Sequence, residues 1–309
     1  MRTAIIDLGT NTFNLLIVDV DGYVYEAVYN EKFAVKLGQG GLNDGVIRDD
    51  AAQRGIDALT QHLRTIGQYR CERTLAFATS AVRSASNGYA FVERIRKELG
   101  LDVRVISGDE EAQLIFEGVE LAMGGFIEPS LIMDIGGGST EFIVADSTGI
   151  RWKRSYDLGI ARLLEWLQPA DPLAAKDIVK FNQRLDGEIT QVADKCREFG
   201  VRSLIGSSGS FDSFAEMIWA SYGLDKSAKD VTCEDIDLND LANLNRTLVT
   251  SSNQERRAIN GLIEMRVDTI HLASLMVQWV LTEAALNRLT LSTYALKEGV
   301  LQRIIRGTV

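Results

Sequence analysis

Histidine occurs only twice in these 309 residues, and cysteine and proline three times each. Cys71, Cys196 and Cys233 are odd in number, far apart and never in a Cys-x-x-Cys pair, so neither a disulfide framework nor a zinc site is indicated. They are expected to be buried thiols. His62 and His271 fall in helical patterns without ligand partners, which gives no basis for zinc or phosphohistidine chemistry. Long apolar runs are also missing. The most apolar stretch, around Ser274 to Leu286, is broken by Gln278 and Glu283 and falls short of the roughly 20 apolar residues of a membrane span. Asp7 stands where a signal peptide would need its apolar segment, so a soluble cytoplasmic protein is expected. Basic charge is in deficit, 33 Lys and Arg against 43 Asp and Glu for a net charge of −10. That balance argues against nonspecific nucleic-acid or anionic-membrane binding. It leaves room for a phosphorylated ligand held locally by backbone amides, a few arginines and a divalent cation.

What the chain does contain is a repeated statement. The segment Ala4 to Asp19, AIIDLGTNTFNLLIVD, aligns without a gap on Leu131 to Asp146, LIMDIGGGSTEFIVAD. Each copy is an apolar strand, an Asp-hydrophobe-Gly turn with small hydroxylic or amide residues, and a second apolar strand ending near Gly22 or Gly149. Gly, Ser and Thr leave room for backbone N–H groups to approach an anion, and exposed amides carry partial positive charge. Two such hairpins facing each other would form a phosphate clamp.

The same duplication organises the rest. After the first hairpin come strand character over Tyr23–Leu37, an amphipathic helix over Asp49–Ile66 and a strand over Arg73–Ala78. A polar loop Thr79–Arg83, a helix Tyr89–Leu99 capped by Gly100 and a strand Val103–Ile106 follow, then a helix from Ser107 to about Met123. After the second hairpin, Trp152–Tyr156 is a strand, Ile160–Leu167 and Ala174–Phe199 are helical, and Arg202–Ile205 is a strand. Gly206-Ser207-Ser208-Gly209-Ser210 leads from that strand into a helix over Phe211–Tyr222. Cys233–Leu289 reads as mainly helical, Arg288–Leu291 as the last strand and Tyr294–Arg306 as the last helix. Alternating strands and helices imply mixed sheets covered on both faces. The expected architecture is therefore two like α/β domains, 1–124 and 125–309, around a central cleft, with the last helix able to pack back on the first domain. The helical stretch Ile259–Leu286 is apolar on several faces, a pattern of either internal burial or a subunit interface.

These residues carry a resemblance. Doubled Asp-x-Gly hairpins on strand-helix units resemble the actin, sugar-kinase and heat-shock-protein ATPase superfamily, with its ribonuclease-H-like (actin-like ATPase) domains. Within it, Asp7–Phe13, Thr79–Arg83, Ser107–Ala112 and Asp134–Glu141 match in order the exopolyphosphatase and guanosine pentaphosphate phosphohydrolase family. Asp157–Leu163, Gly206–Ser210, Arg266–Ile270, Leu291-Ser292 and Lys297–Gly299 extend the match over nearly the whole chain. Lys297 departs from the family's frequent Arg, which touches a bidentate anion contact. The helical C-terminal region of longer members resembles metal-dependent phosphohydrolases, and two histidines are far too few for it.

The resemblance implies a hydrolase that removes the terminal phosphate of inorganic polyphosphate or of guanosine pentaphosphate, with Mg²⁺ or Mn²⁺ as cofactor and a homodimer as assembly. Such a reaction needs a nucleophilic water, groups holding the phosphates in line and charge neutralisation. Glu111 matches the family's proposed general base. Its place at a helix start favours an ionised carboxylate, although Glu110 and Glu111 taken alone read as complements to the helix dipole. Asp134 and Glu141, with Asp7 opposite, are candidates to organise the metal, largely through water. Candidate phosphate cradles are Gly136, Gly137, Gly138 and Ser139, and Ser207, Ser208, Gly209 and Ser210, the latter opening a helix. Read alone, such stretches are ordinary turns. Thr10 belongs to the first hairpin's phosphate-binding turn. Asn11 and Arg83 resemble family phosphate contacts, although Arg83 on residue type alone is a solvated loop residue. A kinase of the same superfamily, or a non-hydrolytic nucleotide-binding protein, is the rival reading. The former needs an acceptor site, and the latter would be stabilised by ligand without releasing phosphate.

Overall fold

The computed structural model describes residues 1–309. In chain order the first part comprises β1 (Arg2–Leu8), β2 (Thr12–Asp21), β3 (Val24–Ala34), α1 (Asp49–Gln68), β4 (Arg73–Ala78), α2 (Ser80–Ser84), α3 (Gly88–Leu99), β5 (Arg104–Val105) and α4 (Gly108–Met123). Then come β6 (Ser130–Ile135), β7 (Thr140–Asp146), β8 (Gly149–Tyr156), α5 (Ile160–Leu167), α6 (Ala175–Phe199), β9 (Ser203–Ser207) and α7 (Gly209–Ser221). The chain ends with β10 (Cys233–Ile236), α8 (Leu238–Thr250), α9 (Asn253–Arg257), α10 (Ile270–Glu283), β11 (Arg288–Ser292) and α11 (Leu296–Ile305).

The strands form two sheets, ordered β3-β2-β1-β4-β5 and β8-β7-β6-β9-β11-β10. In each, a central strand pairs antiparallel with its hairpin partner and parallel with a later strand, so the sheets repeat one topology. β10 adds an antiparallel edge beyond β11.

Alternation along the hairpins sorts their side chains between two layers. Ala4, Ile6 and Leu8 join the core under α1 and α3, whereas Ile5 faces the other way into a core shared by both sheets. In the second copy Leu131, Met133 and Ile135 enter the large C-terminal core, and Ile132 enters the shared one. Side chains two residues apart share a face. The parity that sends Ile5 and Ile132 between the sheets therefore sends Asp7 and Asp134 the same way.

The shared core is built on α4 and α11, which cross closely. A Cβ on Gly118 would lie 2.0 Å from the Ala295 carbonyl oxygen, and one on Gly299 would lie 1.9 Å from that of Leu114. Either alanine would force the helices apart. Burial of side chains such as Phe142, fully enclosed in the C-terminal core, contributes on the order of 2–3 kcal/mol each.

Three local expectations are corrected. Residues 80–84 form the short helix α2 rather than a loop, because five residues are too few to display helical periodicity. Cys233–Ile236 is a strand, held by pairs with β11 that run from Cys233 with Ser292 to Ile236 with Leu289, a long-range contact that local pattern does not carry. Only Cys196 is buried, while Cys71 and Cys233 are half-buried. Most residues of α10 are buried within the chain, which accounts for its apolar faces without a subunit interface. No helix is long and apolar enough to cross a membrane.

Candidate active site

Both hairpin turns are built alike. The Gly9 amide donates to the Thr12 carbonyl and the Gly136 amide to the Ser139 carbonyl, each at 3.0 Å. The amides of Thr10, Asn11, Gly137 and Gly138 find no partner in the chain. The tips touch across the gap. A Cβ on Gly137 would sit 2.8 Å from Asn11 Cγ, and one on Gly138 2.6 Å from both Thr10 Oγ1 and Ser80 Oγ. Only glycine permits this approach. Arg162 of α5 stitches the tip to the first domain, donating to the Gly138 carbonyl at 3.0 Å and to that of Leu42 at 3.0 Å.

The tips open on a cleft of about 1330 Å³. Thr10, Asn11, Gly136, Gly137, Gly138, Ser139, Ser208 and Gly209 line it, as do the carboxylates Asp7, Glu111 and Asp134. Not every expected residue reaches this surface. Ser207 lies in β9, its hydroxyl within donating distance of either Asp134 Oδ2 at 3.3 Å or the Tyr294 carbonyl at 3.1 Å, so it packs beside Asp134 rather than facing the cleft. Ser210 is buried inside α7's first turn, 3.5 Å from Arg266 Nη1. Glu141 is buried behind the cleft, accepting from Ser155 Oγ at 2.7 Å. No group of three or more His, Cys, Asp or Glu side chains converges as a ready-made metal cage, so Asp7, Asp134 and Glu141 do not close around one point.

The duplication differs where it matters chemically. Asp134 pairs in register with Glu141, and Asp7 with Asn14. The Asn14 amide donates to Asp7 Oδ2 at 2.9 Å, whereas the second copy places another acid at the matching position.

Burial dominates the ionisation of these acids. Desolvation pushes Asp7 up to about 6 against the hydrogen bond from Asn14, and pushes Asp134 up to about 6 against those from Ser208 and Ser207. It raises Glu141 well above the usual carboxylate range, helped by the charges of Glu111 and Asp134. Glu111 is pushed up to about 7, first by desolvation, with Arg83 opposing and Asp7 and Asp134 adding to the rise. The helix-start position therefore does not keep Glu111 as acidic as its place in sequence suggests, because enclosure outweighs the helix dipole. Glu110, one residue earlier, is tied to Arg104 at 2.6 Å and caps nothing catalytic.

Arg83 stands on α2, on the far side of Glu111 from the cleft lining. Its Nη1 donates to Glu111 Oε2 at 2.8 Å and to the Ile106 carbonyl at 3.1 Å. The pair opposes the rise in the Glu111 pKa, so in this structure Arg83 contacts the candidate base, where the sequence suggested a phosphate contact. Replacing it with alanine should move the acid limb of the pH–rate profile upward and cut activity at pH 7 by about tenfold or more. Arg83→Lys should restore part of both. A profile unmoved in Arg83→Ala would detach Arg83 from Glu111's ionisation.

Lys297 lines the cleft, as do two basic groups to which sequence reasoning gave no role, Arg266 and Lys32. Arg266 lines the cleft, packed so tightly on α7 that a Cβ on Gly209 would lie 2.3 Å from its Nη2. Its Nε is buried without a partner. Lys32 lies 3.9 Å from Asp212, and burial lowers its pKa while Asp212 raises it. The segment Arg266–Ile270 stood out in the sequence as a block, but a charge at the end of a single 3-10 turn carries no signal of where it points. Ser208 is the strained member of the loop, with φ of 72° and ψ of 174°. Side-chain-bearing residues hold such a conformation only where the surroundings impose it, commonly at ligand-binding turns.

Two duplicated α/β units enclosing a cleft of free amides, carboxylates and arginine define a phosphate-handling enzyme of the actin-like fold. The sequence model of the Ppx/GppA phosphatase family matches residues 16–306. The chain belongs to that family, and is a phosphoanhydride hydrolase. An exopolyphosphatase from Cytophaga hutchinsonii is 38% identical, with coverage of 100% of this chain and 99% of that one and a TM-score of 0.97. The Ppx/GppA family member from Aquifex aeolicus shares the fold at 23% identity and a TM-score of 0.81, over 99% of this chain and 98% of its own.

Proposed function

We infer that this chain is an exopolyphosphatase, a cytoplasmic enzyme that removes terminal orthophosphate from inorganic polyphosphate with a divalent cation. The observation that carries this reading is the convergence of Glu111 and the unbonded amides of both hairpin tips on one cleft. The likeness to the Cytophaga exopolyphosphatase supports the choice of substrate.

In this reading the terminal phosphoryl group lies between the tips, its oxygens on the amides of Thr10, Asn11, Gly137 and Gly138 and on the loop at Ser208 and Gly209. Arg266 and Lys32 face the following phosphates. Glu111 accepts a proton from water as the water oxygen bonds to the terminal phosphorus and the bond to the bridging oxygen breaks. Orthophosphate and a chain one phosphate shorter result. The units 1–124 and 125–309 close on the substrate, excluding bulk water.

Polyphosphate brings dense negative charge to a wall that already carries Asp7, Glu111 and Asp134. Their raised pKa values, set first by burial and further by neighbouring acids, fit a site that takes a cation, and an all-oxygen donor set of few carboxylates suits Mg²⁺ or Mn²⁺, which keep several waters. Asp7 and Asp134 would hold it, with Glu141 fixing the wall behind, and its chemistry is neutralisation of charge on the phosphates. A homodimer, implied by the family resemblance, belongs to the same reading and would give twice the chain mass in sedimentation.

Phosphate release from medium-length polyphosphate, guanosine pentaphosphate and ATP should be measured side by side with Mg²⁺. Polyphosphate should dominate, and chelation should abolish release. Dominance of guanosine pentaphosphate would assign the family's other activity. Release from none would return weight to a kinase or binding role.

A further inference from the structure

Behind the catalytic wall lies a second cavity of about 350 Å³. Arg83, Lys153 and Arg154 bring positive charge to its lining, with Ser155, Asp109 and Asp157 between them. Arg83 faces this cavity, yet its guanidinium bonds Glu111, which faces the main cleft. Ser155 likewise joins the cavity to Glu141 at 2.7 Å. Side-chain pairs thus form part of the partition, and side chains rearrange far faster than backbone. Lys153 is held at the entrance of α4 by the Asp109 carbonyl, 3.0 Å away, by the Asp109 carboxylate at 3.1 Å and by Gln113 Oε1 at 3.1 Å, which leaves Arg154 as the base of the lining without a carboxylate partner.

We propose that this cavity is a rear exit through which orthophosphate leaves while the shortened polyphosphate stays in the front cleft. The inference rests on the polyphosphate reading above and adds to it the route of the product. An enzyme that cuts at a chain end buried beside Glu111 forms orthophosphate behind the remaining polymer. The front is then filled by a polyanion that blocks and repels the small anion. The cavity on the other side of the Arg83–Glu111 pair, with Arg83, Lys153 and Arg154 against Asp109 and Asp157 in its lining, is less anionic than the filled front and so the electrostatically favourable way out. Glu111 has at that moment accepted a proton, so its attraction for Arg83 is weakened as the product forms. The Arg83 guanidinium then turns to the departing anion.

The test is pre-steady-state phosphate release from medium-length polyphosphate by the full-length protein and a Lys153→Glu/Arg154→Glu variant, followed with a phosphate sensor. Neither residue belongs to the catalytic wall. The single-turnover cleavage rate should be unchanged, while steady-state release slows by about fivefold or more after a lag behind cleavage. Lys153→Arg/Arg154→Lys should behave as the parent. Unchanged steady-state release, or a parallel loss in single-turnover cleavage, would overturn the exit. A second measurement needs no variant. Orthophosphate entering from the rear should inhibit the unaltered protein in a mixed or noncompetitive manner against polyphosphate, and strictly competitive inhibition would count against the route. If the unaltered protein releases no phosphate from polyphosphate, the functional reading itself fails and the exit falls with it.

Discussion

Replacing Glu111 with glutamine should lower the rate of terminal-phosphate release by about 10²–10⁴-fold, the usual range for a lost general base, with the fold retained. The amide is nearly isosteric with the carboxylate and keeps an oxygen to accept from Arg83 Nη1, now 2.8 Å from Glu111 Oε2. It removes only the ability to take a proton from water. Because burial already disfavours the charged form of Glu111, the variant should unfold at the same temperature or higher at pH 8. The unaltered enzyme should lose kcat/KM on the acid side of about pH 7, about tenfold per pH unit, since the base must be unprotonated to act. That limb should vanish in Glu111→Gln. Near-normal turnover with an unchanged pH profile would remove Glu111 from the role.

The parts of this site visible in the sequence are those encoded by short-range pattern. A strand's alternation, read twice in the same register, brings Asp7 and Asp134 to one interior face, because Ile5 and Ile132 must be buried there. The turn residues announce their amides. Burial of each side chain, in contrast, depends on partners far away in the chain. Ser207 and Ser210 have the same type as Ser208, but the register of β6 against β9 puts Ser207 beside Asp134, and the first turn of α7 covers Ser210. Glu141 follows the parity rule, yet it is buried between β6 and β8 with Ser155 beside it in register. The same enclosure reverses the expectation for Glu111, whose ionisation is set by α4 being packed into a cleft wall rather than by its place at the helix start. Arg266 and Lys32 were silent for the complementary reason: Arg266 ends a three-residue turn too short to show a face, Lys32 lies in β3 whose partner across the cleft is far away in the chain, and their meeting place is made by two domains.

The second large effect is on stability, and it has the opposite sign from the effect on activity. Asp134 is 7% exposed, and burial raises its pKa from 3.8 to about 6. A carboxyl group with a raised folded-state pKa binds its proton more tightly in the folded protein. Its favourable contribution is full below about pH 3.8 and is lost as the pH rises through about 6. Two pH units at 1.36 kcal/mol each correspond to about 3 kcal/mol of destabilisation at pH 8. Asp134→Asn, which keeps a polar partner for Ser207, should therefore be up to about 3 kcal/mol more stable than the parent at pH 8 in chelator. The advantage should shrink towards zero near pH 4, and urea unfolding across that range measures it. Equal stability at both ends would mean that the wall is relaxed or hydrated enough to carry the charge without penalty. In the reading proposed above, polyphosphate hydrolysis by the same variant should fall sharply, because the cation that neutralises the phosphates would lose one of the carboxylates that would hold it. A carboxylate kept at a cost to the fold and needed for turnover is what a cleft built to receive a cation and a polyanion together requires. Added Mg²⁺ should accordingly stabilise the parent more than it stabilises Asp134→Asn.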